Sequence, residues 1–522
     1  MPRLVWGGGA GSAAPVLPWG GGPRPSGDVM LFSSWSFLIF LAGTFVVYYL
    51  VPLVGGGATL QVSFLVLASF VFYGFDGPWL VLLLGGSVLG NVVLSDLIVR
   101  RMRSGQRPRG LLAVGVTFNL LILGFFKYAG FIAGVLLPGE GLASVRASLQ
   151  SIPLPIGISF FTFHMISLLV DLVRLSGSGG VASLETEHLE GRRVSAGGRI
   201  ALYVSFFPQL IAGPILKAHE FFGQVRVKRF REIEWAAATR TLILGYFLKM
   251  VIADNLREAT ALLTTPLMPQ LGALDLLALL YGFSFQIFAD FAGYSLIAIG
   301  LGKLFGYRLP TNFNFPYLSA SITEFWRRWH MSLSSWLRQY LYIPLGGNRR
   351  GELRTYVNLF LVMFLGGLWH GAAWSYAVWG TTHGVFLALE KLAATKLRRA
   401  PEGVGAVPAS LFWRVVRAVL VFQLVSVLWV LFLMPDFGQA ALFFQHLVTQ
   451  PWHGTPQTLF VVAVYGLPIV LWHLQALARE ARLWPEGWAP VWRRLSWLPY
   501  AALLFFIVTN SGATGAFIYF QF

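Results

Sequence analysis

Apolar residues fill this chain in long runs rather than in alternation. Runs at roughly 34–54, 58–76, 78–99, 111–136, 152–173, 236–256, 274–301, 411–434, 458–478 and 496–517 are close to the length needed to cross a hydrocarbon core, about 20 residues as helix. The short alternating segments of a membrane β-barrel are absent. Two more apolar stretches, 198–216 and 355–390, are interrupted. The pattern predicts an all-α, polytopic membrane protein with roughly 10–12 transmembrane helices plus re-entrant or broken helices.

The polar connectors set sidedness. Arg100-Arg101-Met102-Arg103 through Arg109, Lys217 through Arg231, Lys391 through Arg399 and Arg479 through Arg494 are expected on the cytoplasmic side, where Lys and Arg accumulate. Connectors 174–199 and 217–235 both read as cytoplasmic, so the segment between them should not cross fully. Pro208 and Gly213-Pro214 interrupt it, as proline does inside a helix. The stretch 312–345, with Arg327, Arg328 and Arg338, is read the same way, facing the cytoplasm and dipping into the membrane plane. On this count the Met30 end and the carboxyl terminus lie outside. Residues 1–29, rich in Gly, Pro, Ala and Trp, are expected to be a disordered or mis-called extension, with Met30 as the start. Residues 30–522 then form one integral-membrane domain without internal repeats.

Composition sharpens this. The chain is 56% hydrophobic and 12% charged, against about 25% charged in soluble domains. A net charge of +17 raises nucleic acid as a partner, but the basic residues sit in the connectors, so none is expected and the partner is the lipid bilayer. No cysteine is present, which removes disulfides, thiolate nucleophiles and cysteine metal sites. Much of the content of 19 Trp and 44 Phe is expected to serve interfacial anchoring and packing.

Candidate chemistry concentrates in one aromatic, glycine-rich region. His330 lies in Phe325-Trp326-Arg327-Arg328-Trp329-His330, and His370 in Gly366-Gly367-Leu368-Trp369-His370-Gly371. Titratable rings in membrane-grade surroundings are functional candidates by default. Trp326, Trp329, Arg327 and Arg328 suit a planar or phosphorylated ligand through stacking and forked hydrogen bonds; Arg349 and Arg350 follow a glycine turn that suits an anion. An interfacial amphipathic helix with snorkelling arginines is the competing reading. A neutral imidazole at His370 can abstract a hydroxyl proton; a histidine bonded to a helix carbonyl is the alternative. His383 and His164 read as packing or hydrogen-bonding groups. Asp290, inside an apolar run, needs a partner: an arginine of 327–350, or a place in the cavity wall. Lys249 and Asp254 read as helix-end groups near an interface. The histidines make no metal-ligand pattern, so no bound metal or cofactor is expected.

These residues resemble the membrane-bound O-acyltransferase family, and most its bacterial alginate O-acetyltransferase branch. The resemblance runs through Leu154-Pro-Ile-Gly-Ile-Ser-Phe-Phe-Thr-Phe163, Ser205-Phe-Phe-Pro-Gln-Leu-Ile-Ala-Gly-Pro214, Asp290-Phe-Ala-Gly-Tyr-Ser295 and Asn312-Phe-Asn-Phe-Pro-Tyr317. It continues in Phe325 to His330, Leu337 to Gly347, Leu368-Trp-His-Gly371 and the final Phe517 to Phe522. It implies helices around a thinned centre with a central tunnel, His370 as the family's catalytic histidine, and His330 as the second active-site position. Leu296 departs from the aspartate often found there in polysaccharide-acetylating members and is more like relatives that serve teichoic acid D-alanylation.

The resulting expectation is an O-acyltransferase of the bacterial inner membrane. It would move an acetyl group from a cytoplasmic thioester, acetyl-coenzyme A, to an extracytoplasmic hydroxyl acceptor, as in exopolysaccharide O-acetylation. D-alanyl transfer to a cell-wall polymer is the alternative within the family, and an export channel the alternative outside it. The resemblance also implies a serine-type acetyltransferase partner protein that carries the group onward.

Overall fold

A computed structural model describes residues 30–174, 195–211, 213–398, 410–481, 483, 497–513, 515 and 517–518. The expected extension 1–29 lies outside them, as do most of the connector 174–199 and the ends of the basic connectors at Arg399 and Arg494. Among the described residues there is no strand.

In chain order the helices are α1 (Trp35–Leu53), α2 (Ala58–Gly74), α3 (Pro78–Arg103), α4 (Arg109–Leu136), α5 (Ala143–Gln150), α6 (Ile158–Arg174), α7 (Ala196–Ser205), α8 (Phe207–Leu210), α9 (Ala218–Phe222) and α10 (Trp235–Tyr246). They continue with α11 (Asp254–Thr260), α12 (Ala273–Leu304), α13 (Ile322–Arg328), α14 (Met331–Leu337), α15 (Glu352–His370), α16 (Trp374–Arg398), α17 (Leu411–Leu433), α18 (Phe437–Thr449), α19 (Pro456–Glu480) and α20 (Leu498–Thr509). A π-helical stretch, Phe247–Ala253, joins α10 to α11, and a shorter one, Arg338–Tyr342, follows α14.

Seven of these segments are long and apolar enough to cross a membrane by length and composition: α1, α3, α4, Trp235–Thr264, α12, α17 and α19. The protein is an all-α, multi-pass membrane protein. α2 and α20 are apolar but shorter. The run at 152–173 becomes α6, which carries His164, Asp171 and Arg174 and is buried along nearly its whole length. It is an interior element rather than a lipid-facing span. The expected break near Pro208 is present: α7 stops at Ser205 and the short α8 is wholly buried. Irregular backbone at membrane depth is stable when protein covers it in this way.

α12 is the axis. In its most apolar window 78% of residues are buried, against 17% in α4 at the rim, as expected for a helix apolar on all sides. It packs on α8, α10, α11, α17, α18 and α19. Its approach to α10 depends on facing glycines: a Cβ on Gly293 would lie 2.9 Å from the Gly245 carbonyl oxygen, and one on Gly245 3.0 Å from that of Gly293. Small residues give membrane helices this proximity. α15 and α16 form a hairpin whose backbones meet at Gly367 and Gly380, the close approach that the pair Gly366-Gly367 suggests. His370 is the last residue of α15, at the bend between the two.

Candidate active site

The corner that carries His330 is held from three directions. Ser321 caps α13 by accepting from Glu324 N at 3.0 Å, and Glu324 accepts in return from Ala320 N at 2.9 Å, a reciprocal capping arrangement. Glu390 of α16 accepts from the N–H groups of Ile322 and Thr323 at 2.5 and 2.9 Å, so α13 is fastened to the hairpin. The extended segment 312–314 pairs with the far end: Asn314 N donates to Arg328 O and Met331 N to Asn312 O, both at 2.9 Å. Between these anchors His330 takes the left-handed conformation, φ 42° and ψ 53°. For a side-chain-bearing residue that costs roughly 1–2 kcal/mol, and such strain gathers at functional sites.

His370 is fixed by a group that sequence reasoning overlooked. Lys127 of α4 donates from Nζ to the carbonyl of Trp369 and, at 3.2 Å, to that of His370; Tyr128 Oη donates to Leu368 O at 2.8 Å. The last carbonyls of a helix have no intrahelical partner, and a cation there complements the helix dipole. The available signal was a lone lysine inside the apolar run 111–136.

The indole of Trp369 links the two histidines, with ring centroids 6.2 Å from His330 and 5.1 Å from His370. Lys127 Nζ lies 5.7 Å from the same ring. Trp379 and Phe432 stand edge-on to His370 at 5.2 and 5.4 Å, and Phe291 edge-on to His330 at 4.6 Å. His330 is 0% and His370 3% exposed. Neighbouring side chains therefore cover His330 wholly and His370 almost wholly. Both sit in an aromatic cage built by Trp369, Trp379, Phe432 and Phe291.

An aromatic column runs from this cage toward the side expected to be cytoplasmic. Phe163 stacks on Trp369 at 5.2 Å and on Trp336 at 3.8 Å, and Trp336 meets Tyr340 at 5.2 Å. Tyr340 Oη donates to Asp171 at 2.9 Å, and His219 Nδ1 lies 3.0 Å from the same carboxylate. This hydrogen bond to Asp171 raises the His219 pKa above its ordinary value. A separate open apolar cleft of about 200 Å³ lies between α17 and α19. Its wall residue Tyr317 has its ring 6.3 Å from that of Trp329.

The other expected residues scatter. Trp329 is buried and Trp326 half-buried; Trp326 Nε1 lies 3.4 Å from Nδ1 of the buried His383. Arg327, Arg349 and Arg350 are exposed. Arg328 is instead engaged by Glu324 and Glu480, each at 2.9 Å, and Glu480 also holds Arg414. Asp290 pairs with Lys249 at 2.9 Å and accepts from Ile518 N at 2.7 Å, not with an arginine of 327–350. Lys249 also pairs with Asp254 at 2.7 Å, and both are 1% exposed. They are a buried cluster rather than the interfacial helix ends expected, because the π-helical stretch turns Lys249 toward α12. His164 Nε2 accepts from Leu216 N at 3.2 Å, a structural role. Among the described residues no group of His, Asp or Glu could hold a metal ion.

Comparison with known proteins places this arrangement. Residues 198–433 match the membrane-bound O-acyltransferase family. The chain is 39% identical over 410 residues to the probable alginate O-acetylase AlgI of Pseudomonas aeruginosa, covering 77% of this chain and 72% of that one. It is 34% identical to a peptidoglycan O-acetyltransferase of Helicobacter pylori over 77% of each. A teichoic acid D-alanyltransferase of Bacillus subtilis is 29% identical over 44% of this chain and 58% of its own. The matched region contains His330, His370 and the elements that support them except α4, α6 and α19, and with an all-α membrane fold around them the chain belongs to the membrane-bound O-acyltransferase family and is an acyltransferase.

Proposed function

We propose that this enzyme transfers an acetyl group from cytoplasmic acetyl-coenzyme A to a hydroxyl presented outside a bacterial inner membrane, in the O-acetylation of an exopolysaccharide. The carrying observation is the pairing of His330 and His370 around Trp369, with His370 at a helix end anchored by Lys127. His370 takes the proton of the acceptor hydroxyl, whose oxygen attacks the thioester carbonyl; the C–S bond breaks as the C–O bond forms, and the thiolate leaves with a proton returned by imidazolium. His330 serves the same transfer from the other side of the indole. The acyl arm enters along the aromatic column, whose rings open and close as a gate.

The donor's phosphates suit the exposed Arg327, Arg349 and Arg350. Arg328, with Glu324 and Glu480 already bound, holds the corner instead. Acetyl transfer is favoured over D-alanyl transfer because the O-acetylating relatives match more of the chain at higher identity. A serine-type acetyltransferase partner receives the group and passes it to the polymer. The deciding assay is thiol release from acetyl-coenzyme A by purified protein, which carries no cysteine background. His370→Ala is expected to lose at least about a hundredfold in kcat with its melting temperature retained. Parental turnover in that variant removes His370 from the mechanism.

A further inference from the structure

We infer that Asn312 fixes the tautomer of His330, so that His330 works as a proton acceptor through Nε2 and Asn312 is a positioning residue for the transfer. The inference rests on His330 belonging to the reacting centre, as proposed above. Asn312 is 1% exposed and sits where the chain from α12 turns back toward α13. Its amide orientation is set by its partners. Ser332 N lies 3.3 Å from Oδ1, and a backbone N–H can only donate, so the facing atom is the oxygen. Nδ2 donates to Ser295 Oγ on α12 at 3.0 Å. Ser332 Oγ accepts from Ile215 N at 3.0 Å and lies 2.9 Å from Oδ1, which leaves its own hydrogen to point at Asn312.

The remaining neighbour of Oδ1 is His330 Nδ1, at 3.1 Å. An amide oxygen offers lone pairs and no hydrogen, so Nδ1 must carry one. The neutral ring then has its lone pair at Nε2. Rotation that would exchange the two nitrogens is opposed by the edge-on ring of Phe291 and by Trp369. This selects among the chemical roles open to His330. A ring protonated at Nδ1 cannot, while neutral, donate from Nε2 to a developing oxyanion; it can accept there the one proton that His370 draws from the hydroxyl and deliver it to the departing thiolate. Because Asn312 is neutral, the imidazolium is not trapped as it would be beside a carboxylate. The titratable groups around this turn are His370 beyond Trp369 on α15, Lys127 from α4, and on α12 Tyr294 and Asp290, the latter ion-paired with Lys249.

Two readouts test this. In 15N-histidine-labelled protein, with the His330→Gln variant assigning the signal, His330 is expected to be protonated at Nδ1 and unprotonated at Nε2. The opposite tautomer overturns the inference, whether or not the protein turns over a thioester. In the thiol-release assay with acetyl-coenzyme A, Asn312→Asp keeps the acceptor but adds a charge that stabilises imidazolium. The rising limb of its kcat–pH profile should move up by at least about one pH unit, with donor KM within about twofold. Asn312→Leu should lower kcat at least about tenfold. An Asp variant with the parent's kcat and pH profile overturns the proposal even where the Leu variant fails to fold. Absence of thioester turnover in the parent sinks the acyl-transfer reading instead, and the nitrogen signals still decide the tautomer.

Discussion

Single side chains at this site matter through what they complete. Lys127 supplies hydrogen to two carbonyls that close the last turn of α15 and spreads its charge over Trp369. Lys127→Met keeps the length of the side chain and leaves those carbonyls without that donor, at a cost on the order of 1–3 kcal/mol. The expected outcome is a lower melting temperature and a kcat reduced at least about tenfold with donor KM little changed. Equal kcat in parent and variant would show that His370 does not depend on this anchor. His219 acts at the column's outer end. Its pKa is raised by the hydrogen bond to Asp171, so the bond stabilises the folded state fully below the unfolded value of about 6.5. The contribution is lost as pH rises through the folded value. Melting of His219→Gln against the parent should therefore differ most on the acid side of neutrality, above the carboxylate range, and converge in alkali. A pH-independent difference would argue that packing, not charge, is at stake.

Elements were legible where periodicity and length speak, and illegible where one turn departs from the α-helix. The apolar runs marked α1 through α4, α12, α17 and α19 within a few residues, and Pro208 marked the break between α7 and α8. Nothing in residues 236–256 announces that Phe247–Ala253 winds as π-helix, yet that stretch carries Lys249 inward to Asp254 and Asp290. A sequence read at 3.6 residues per turn places Lys249 at a helix end because that is where a lysine costs least. The cluster makes a direct prediction. Lys249→Met leaves two carboxylates buried beside each other, and removing one partner of a buried ion pair costs about 3–5 kcal/mol. The variant should elute largely aggregated or melt far below the parent. Adding Asp254→Asn and Asp290→Asn should recover most of the loss. No buried charge is then left over, and the amide oxygen introduced at position 290 can still accept from Ile518 N. If the triple variant is no better than Lys249→Met, the cluster does more than balance charge.

At the scale of the whole molecule, the sequence singled out two histidines that the fold brings to one indole, but it could not divide the arginines. His330 and His370 stand out because a bilayer penalises titratable rings. Arg327 and Arg328 stand side by side in sequence, but Glu324 one turn earlier and Glu480 of α19, 152 residues away, both engage Arg328 and separate a structural arginine from an exposed one. Lys127 and Asn312 escaped for the same reason: their partners lie 243 and 18 residues off, on other elements. On the function proposed above, Arg327, Arg349 and Arg350 are exposed cations that would meet an anionic donor. Attraction of this kind is long-ranged, weakens as the Debye length falls to about 10 Å at 0.1 M salt, and raises encounter more than chemistry. Arg349→Ala with Arg350→Ala should therefore raise the KM for acetyl-coenzyme A severalfold at low salt and leave kcat within about twofold. Its KM should also respond less steeply to added salt than the parent's. The two enzymes should converge at high ionic strength, where the parent's own arginines are screened. A KM that stays equal to the parent's at low salt would move the donor's entrance away from this loop and toward the His219 end of the aromatic column.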